Sequence, residues 1–466
     1  MSHCWSRRVA VCLFCALNYS AAVPAARAEE ALAARARRYL IDLIRIDSTN
    51  PPGNETRVAE YLKKVADLEG IPNELLGGDP ARLNFIARLA GAEGVRPLLL
   101  MAHSDVVPAD RSQWSVDPFA AIVREGFVYG RGAQDDKSLL AAELAVLVEL
   151  KRQRVPLRRP VILLSEADEE ADSSGVQWLI RHAYSKIDAE FALNEGGFAF
   201  DVPSAQRVFQ VQTAEKIPSR VVLTARGTAG HGSLPRPDNP VVHLSRAITR
   251  IADADQPIRL NTTTRRYFRE IAKLPDYQWL APYLSKLEND GAAVAAANEI
   301  RGRDPELDAQ LRTSMSPTML SAGVKINVIP NAAEAQVDIR RLPSETREEI
   351  VARIRRIIRD PAVEVSPAAG QTMPATEPSS LTTALYLAME MVFHGDSARA
   401  VVIPYMSRGA TDGAFLREKG MAVYGVPLFL REKNESRAHG NDERIAERNL
   451  AAGTALLWRI VRGVTQ

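Results

Sequence analysis

Cysteine is nearly absent from this 466-residue sequence, and the three present, Cys4, Cys12 and Cys15, all fall within the first 15 residues. The chain beyond them can form no disulfide and offers no thiolate as nucleophile or metal ligand. An excess of either charge is also missing, with 59 Lys and Arg against 57 Asp and Glu, so no basic field draws in nucleic acid. No apolar run approaches the roughly 20 residues of a permanent membrane helix; the longest, Val9 to Leu17, has nine. Internal repeats and low-complexity tracts are lacking. The composition, 46% hydrophobic and 25% charged, is that of a globular protein rather than a disordered or fibrous one.

What is present begins with Arg7 and Arg8 ahead of the apolar run, followed by a small-residue segment ending Ala26-Arg27-Ala28. That order is characteristic of a secretory signal. Residues 1–28 are expected to be removed, taking with them three arginines, no acids and every cysteine. The mature chain is then secreted or periplasmic, without a stable membrane span; retention of the segment as an N-terminal anchor is the alternative.

The length predicts two or three folding units, because single cores stop growing at roughly 250–300 residues. Leu32, Leu40, Leu43 and Ile44 recur at helical spacing up to the turn Ser48-Thr49-Asn50-Pro51-Pro52-Gly53, which predicts a helix and its stop. Short apolar runs then alternate with helical stretches: Leu83 to Leu89, Pro97 to Met101, a helix around Lys137 to Leu150, Pro160 to Leu164, a helix around Gly175 to His182, and Glu190 to Leu193. Such alternation predicts an α/β fold with a mixed, largely parallel sheet, whose ligands collect beyond the carboxyl ends of the strands. From about residue 214 the order becomes strand 220–225, helix 240–251, strands 318–322 and 335–340, helix 345–359 and strand 363–365. This βαββαβ pattern describes a small sheet with two helices on one face. Residues 253–316 are charged, largely helical in pattern and unassigned. The α/β pattern returns near Thr376 and closes with an amphipathic helix from Glu443 to Val461. The chain thus reads as a catalytic domain in two parts, 29–213 and 371–466, with a domain at 214–370 inserted between them.

Five segments carry the chemistry, three at strand ends and two ahead of helices. In Leu98-Leu99-Leu100-Met101-Ala102-His103-Ser104-Asp105, side-chain alternation puts His103 and Asp105 on the same side. A metal-binding imidazole oriented by a carboxylate uses that arrangement, and so does a purely structural His–Asp pair. Gly130-Arg131-Gly132-Ala133-Gln134-Asp135-Asp136-Lys137 places two acids before a helix, where they either cap it or bridge cations. Glu166, Asp168, Glu169, Glu170 and Asp172 crowd five acids into seven residues after an apolar strand; their mutual repulsion is relieved by cations. Phe191-Ala192-Leu193-Asn194-Glu195-Gly196-Gly197 again ends a strand with an acid, and His439 precedes the last helix. Two imidazoles and at least four carboxylates form a nitrogen and oxygen donor set suited to zinc, cobalt or manganese. Two ions about 3.5–4 Å apart would activate a water and polarise a carbonyl, which points to metal-assisted hydrolysis.

The motifs HSDVVP, YGRGAQDDK, EADEEADSSG, ALNEGG and AHGNDE, in this order, resemble those of the dizinc aminoacylase and carboxypeptidase family that includes acetylornithine deacetylase, succinyl-diaminopimelate desuccinylase and bacterial glutamate carboxypeptidase. The likeness spans nearly all of the chain after the signal. It implies a zinc-exopeptidase type of fold with helices on both faces of the sheet, and it makes the inserted domain a lid and dimerisation domain. It also implies that His103 and Glu195 bind one zinc, Glu170 and His439 the other, and that Asp135 bridges them. Glu169 becomes the general base and Asp105 the residue that orients His103. In the inserted domain the resemblance lies in Gly227 to Ser233, Lys325 to Pro330 and Asp338 to Pro343. It implies that His231 reaches the substrate carbonyl oxygen, often in the partner subunit's site, while Asn327 and Arg340 hold the substrate, Arg340 by its carboxylate. The turn Arg408 to Gly413 is similar to a further substrate-side loop. Gln113 to Phe119 and Ser316 to Pro343 are most similar to the carboxypeptidase S and N-acyl amino acid hydrolase branch. Asn194, before Glu195, departs from relatives that often carry an acid there. His182, His243 and His394 match no motif and are expected at the surface or in structural roles.

The expected activity is hydrolysis of an amide or peptide bond in N-acyl amino acids or short peptides with a free carboxylate, by a homodimer holding two zinc ions, with cobalt or manganese as alternatives. A non-catalytic metal-dependent binding protein on the same scaffold, and an N-acyl amino acid synthase/hydrolase, are the competing readings.

Overall fold

The computed structural model describes residues 28–204, 206–289, 291–368, 370, 373–432 and 435–466. The segment read as a signal lies outside the described residues except for its last position. Two compact units are present, one comprising the chain to Glu190 together with Leu428–Gln466, the other Phe191–Pro427.

In the first unit, four strands lie side by side in the order Asn73–Leu76, Asn84–Leu89, Val161–Glu166, Leu98–His103. Leu98–His103 and Val161–Glu166 run parallel, with His103 opposite Glu166, and the two outer strands are antiparallel. Both parallel strands are buried at every position, as expected of strands covered on both faces. Helix Lys137–Arg152, buried from Lys137 to Leu150, packs on the Leu98–His103 strand and on helix Glu447–Thr465. The first helix covers residues 28–44, and the four apolar residues that mark its period are all buried. The last helix starts four residues later than its pattern suggests, because Arg444–Ala446 is a strand paired antiparallel with Phe127–Tyr129. That pairing brings the chain around His439 to the loop that follows Tyr129.

The second unit holds two larger sheets and a small two-stranded one. One of the larger sheets has the order Phe191–Asn194, Ala422–Gly425, Arg207–Glu215, Ala400–Ser407, parallel at both outer pairs and antiparallel in the middle. The other is wholly antiparallel and realises the βαββαβ order: strand Val221–Arg226, helix Pro240–Asp253, strands Ser314–Ala322 and Ala332–Arg341, helix Arg347–Ile358, strand Val363–Pro367. Its core alternates as a half-buried sheet must: Val221, Leu223 and Ala225 face Ala333, Ala335, Val337 and Ile339, and Leu244, Ala247, Ile251, Ile350, Ile354 and Ile358 of the two helices cover them. The second helix opens with a capping box between Thr346 and Glu349, which satisfies its free amides.

The unassigned stretch 253–316 is helical in four short pieces and a 3-10 turn. Tyr267, Phe268, Ile271, Leu287, Ile300 and Leu307 form a cluster with Val208, Ile403 and Tyr405, so this stretch completes the core of the first sheet of its unit. Buried Lys216 ties it down by donating to the carbonyls of Ala309 and Arg312 at 2.8 and 2.9 Å. Among the described residues no helix is long and apolar enough to cross a membrane.

Candidate metal centre

His103 ends its strand with 1% of its surface exposed. Its Nδ1 lies 3.0 Å from the carbonyl oxygen of Asp105 and 3.5 Å from that residue's carboxylate, which assigns the proton to Nδ1 and directs the Nε2 lone pair the other way. There it meets Oδ1 of Asp135 at 2.9 Å. The second oxygen of Asp135 is 3.1 Å from Nε2 of His439, which is also 3.0 Å from Oε1 of Glu170. One carboxylate thus stands between two imidazoles and uses a different oxygen for each.

At these distances a ring nitrogen of each imidazole faces carboxylate oxygen, an arrangement that a proton or a metal ion held between them stabilises. The hydrogen bonds to Asp135 and Glu170 push His439 up to about 10, the direction in which a proton or a metal ion is favoured at this point. Burial alone would raise the Asp135 pKa, but the hydrogen bonds from His103 and His439 outweigh it and hold the carboxyl well below the usual aspartate range. His103, Asp135 and Glu170 each present a ligand atom within 4.8 Å of the others. The donor set, imidazole nitrogen and carboxylate oxygen with no sulfur, fits a divalent cation such as zinc.

Asp105, with none of its surface exposed, does more than face His103. Its Oδ1 accepts the backbone N–H of Glu169 at 3.1 Å, and its Oδ2 accepts those of Glu170 at 3.1 Å and Asn50 Nδ2 at 2.8 Å. Burial would raise its pKa; the hydrogen bonds from His103, Asn50 and Glu170 lower it below the ordinary value. One buried carboxylate therefore orients the histidine and both glutamates. A carboxylate oxygen of Glu169 comes within 4.8 Å of a ring nitrogen of His103. Asn50 was legible in the sequence only as part of a turn. Its Nδ2 also donates to Asp168 at 2.9 Å, and Asp168 in turn accepts Arg82 Nη2 at 2.7 Å. Asp168 is thus a structural member of the five-acid run rather than a facing ligand.

The remaining sequence-derived residues lie in the second unit. Glu195 directly follows the Phe191–Asn194 strand. His231 and Asn327 are brought together by a small antiparallel pair of strands distant in sequence, Gly230–His231 and Val328–Ile329, where His231 pairs with Val328 and the Gly232 N–H donates to the Asn327 carbonyl at 2.8 Å. Both side chains are exposed. Arg340 sits apart from them on its long strand, half-buried, with Nε donating to Asp338 at 2.9 Å. The 408–413 turn is anchored by Thr411, whose N–H and hydroxyl both donate to buried Glu215 at 3.0 Å, and Arg417 pairs with the same carboxylate. Of the unmatched histidines, His243 pairs with Asp360 at 2.6 Å, His182 lies beside Trp178, and His394 faces the Ala400 carbonyl.

A mixed α/β fold with imidazoles and carboxylates gathered at strand ends defines a metal-dependent hydrolase. The chain belongs to peptidase family M20/M25/M40, whose model matches residues 99–463, and is accordingly an enzyme of the zinc-dependent metallopeptidase and amidohydrolase class. It is 28% identical over 376 residues to the N-fatty-acyl-amino acid synthase/hydrolase PM20D1 of Homo sapiens, covering 79% of this chain and 74% of that protein. It is 26% identical over 366 residues to the probable carboxypeptidase S-like 2 of Dictyostelium discoideum, covering 77% of this chain and 69% of that protein. Among solved structures, the M20 family metallo-carboxypeptidase Sso-CP2 from Sulfolobus solfataricus has the same fold, with a TM-score of 0.70 at 21% identity over 91% of this chain and 97% of that one. The first two relatives come from the branch that Gln113 to Phe119 and Ser316 to Pro343 resemble.

Proposed function

We propose that this protein hydrolyses the amide or peptide bond of N-acyl amino acids or short peptides that end in a free carboxylate, using two divalent cations, zinc in the first instance. The observation that carries this reading is the division of the two Asp135 oxygens between His103 and His439, at 2.9 and 3.1 Å. His103 and Glu195 would hold one cation, Glu170 and His439 the other, and Asp135 both. Cations bound by these residues would acidify a water and polarise the substrate carbonyl. Glu169 takes the proton from the attacking water and delivers it to the departing nitrogen. His231 donates a hydrogen bond to the carbonyl oxygen as charge builds on it, and Arg340 and Asn327 hold the carboxylate end.

In this reading residues 214–370 form the lid and dimerisation domain, His231 serves the partner's site in a homodimer, and residues 1–28 direct export. The human relative is a synthase/hydrolase, which favours a second reading: the same residues also run the reaction in reverse, condensing a fatty acid with an amino acid and releasing water. The test is a zinc-loaded preparation assayed on a panel of N-acyl amino acids and dipeptides, with Glu169→Ala as control. Turnover by the wild type and its loss in the variant are expected. Metal binding without turnover of any amide would favour a binding protein instead, and full activity in the variant would remove Glu169 as the base.

A further inference from the structure

Two segments far apart in sequence, 131–135 and 435–444, present Asp135 and His439 to each other. Each is held by a side chain belonging to the other. Glu443 has none of its surface exposed and spends all its acceptor capacity on the Asp135 loop. Its Oε2 accepts Arg131 Nη1 at 2.6 Å and the Gly132 N–H at 3.2 Å; its Oε1 accepts the Gln134 N–H at 2.7 Å and the N–H of Asp135 itself at 3.1 Å. Gln134 returns the hold. Its Nε2 donates to the carbonyls of Glu435 at 2.7 Å and Arg444 at 2.8 Å, while its Oε1 accepts the N–H groups of Arg437 at 2.9 Å and Ala438 at 3.2 Å. These contacts flank His439 on both sides.

A side-chain amide offers two donors and two acceptor sites, and a carboxylate about four acceptor sites; every one of them is used here. Buried polar networks satisfied to this degree are rigid, and they lose their geometry when one member is removed. We infer that Gln134 and Glu443 are positioning residues, a reciprocal clamp that fixes the separation of Asp135 from His439 and so the geometry of the cation site these two share with Glu170. The inference rests on the metal reading above and adds two residues to it, neither of which touches the cation.

The experiment compares wild type with Gln134→Ala and Glu443→Gln in the full chain. Zinc stoichiometry and affinity are read by competition with a chromophoric chelator, ligand geometry by the d–d spectrum after cobalt loading, and folding by near-ultraviolet circular dichroism. Wild type should bind two ions per chain. The folded variants should hold one of the two about 10–100-fold more weakly, the range measured for residues that orient metal ligands. Their cobalt spectrum should shift, and kcat should fall while KM stays in place. Because the clamp acts as a unit, the double variant should lose far less than the product of the two single losses. Should Glu443→Gln not fold, Gln134→Ala carries the test alone. Folded variants with wild-type zinc affinity and an unchanged cobalt spectrum would overturn the clamp while leaving the metal reading intact. A wild type that binds no metal would instead defeat that reading, and the clamp with it.

Discussion

Replacing Asp105 by asparagine keeps the shape of the side chain and changes one oxygen into an amino group. In the native site both oxygens face donors: Oδ1 the N–H of Glu169, and Oδ2 the N–H of Glu170 and the amide of Asn50. Whichever way the new amide turns, its NH2 confronts at least one buried N–H that then has no acceptor. An orphaned buried donor costs about 1–3 kcal/mol, and hydrogen bonds to a charged group sit at the upper end, so the metal-free protein should lose about 2–4 kcal/mol. The sign with pH follows from the lowered Asp105 pKa. The carboxylate stabilises the fold above its unfolded pKa, near 4, and that contribution disappears as pH falls through the lower native value. Asp105→Asn should therefore unfold at lower denaturant at neutral pH and differ little from wild type in strong acid. Denaturant titration of EDTA-treated protein at several pH values measures this, and zinc competition should show about 10–100-fold weaker binding. A variant within about 0.5 kcal/mol of wild type, with undiminished zinc affinity, would refute the idea that one carboxylate orients His103, Glu169 and Glu170 together.

Glu169→Gln should keep its zinc and lose about 10²–10⁴-fold in kcat, the usual worth of a positioned base, as single-substrate kinetics beside metal analysis would show. Because His439 in metal-free protein holds its proton up to about 10, zinc should bind more tightly as pH rises toward that value and should release a proton, visible in an unbuffered titration with a pH indicator; pH-independent binding would contradict a ligand role. By the same competition between proton and metal, activity should fall on acidification. Mixing His231→Ala with Glu169→Ala subunits should restore part of the activity under subunit exchange, and no rescue would argue that His231 serves its own chain.

Much of the first unit is readable from sequence because its strands are unbroken apolar runs that end in polar residues. Leu98–His103 and Val161–Glu166 differ from their expected limits by a residue or two at each end, and the βαββαβ order of the second unit needs only apolar periodicity to be seen. The pattern gave out where burial is shared among short pieces. Residues 253–316 contain helices of four to eleven residues, too short for a strong period, and their partners Val208, Ile403 and Tyr405 lie far away in the chain. At the site, residue types after two strands and before a helix brought forward the stretches that contain His103, Asp135 and Glu170, and the family resemblance singled out those three as candidate ligands. Asn50, Gln134 and Glu443 escaped because their importance lies in what they hydrogen-bond, and hydrogen bonds between distant loops leave no trace in local spacing.

The short strand Arg444–Ala446, which brings the His439 segment to the loop after Tyr129, has a consequence for biosynthesis. Three of the proposed ligand positions in the first unit, His103, Asp135 and Glu170, emerge from the ribosome hundreds of residues before the fourth, His439. The nascent chain can build the parallel strands early, but it has no complete nest for a cation until its final segment arrives. On the proposed ligand assignment, a cation held by all four would be acquired only after that segment has left the ribosome.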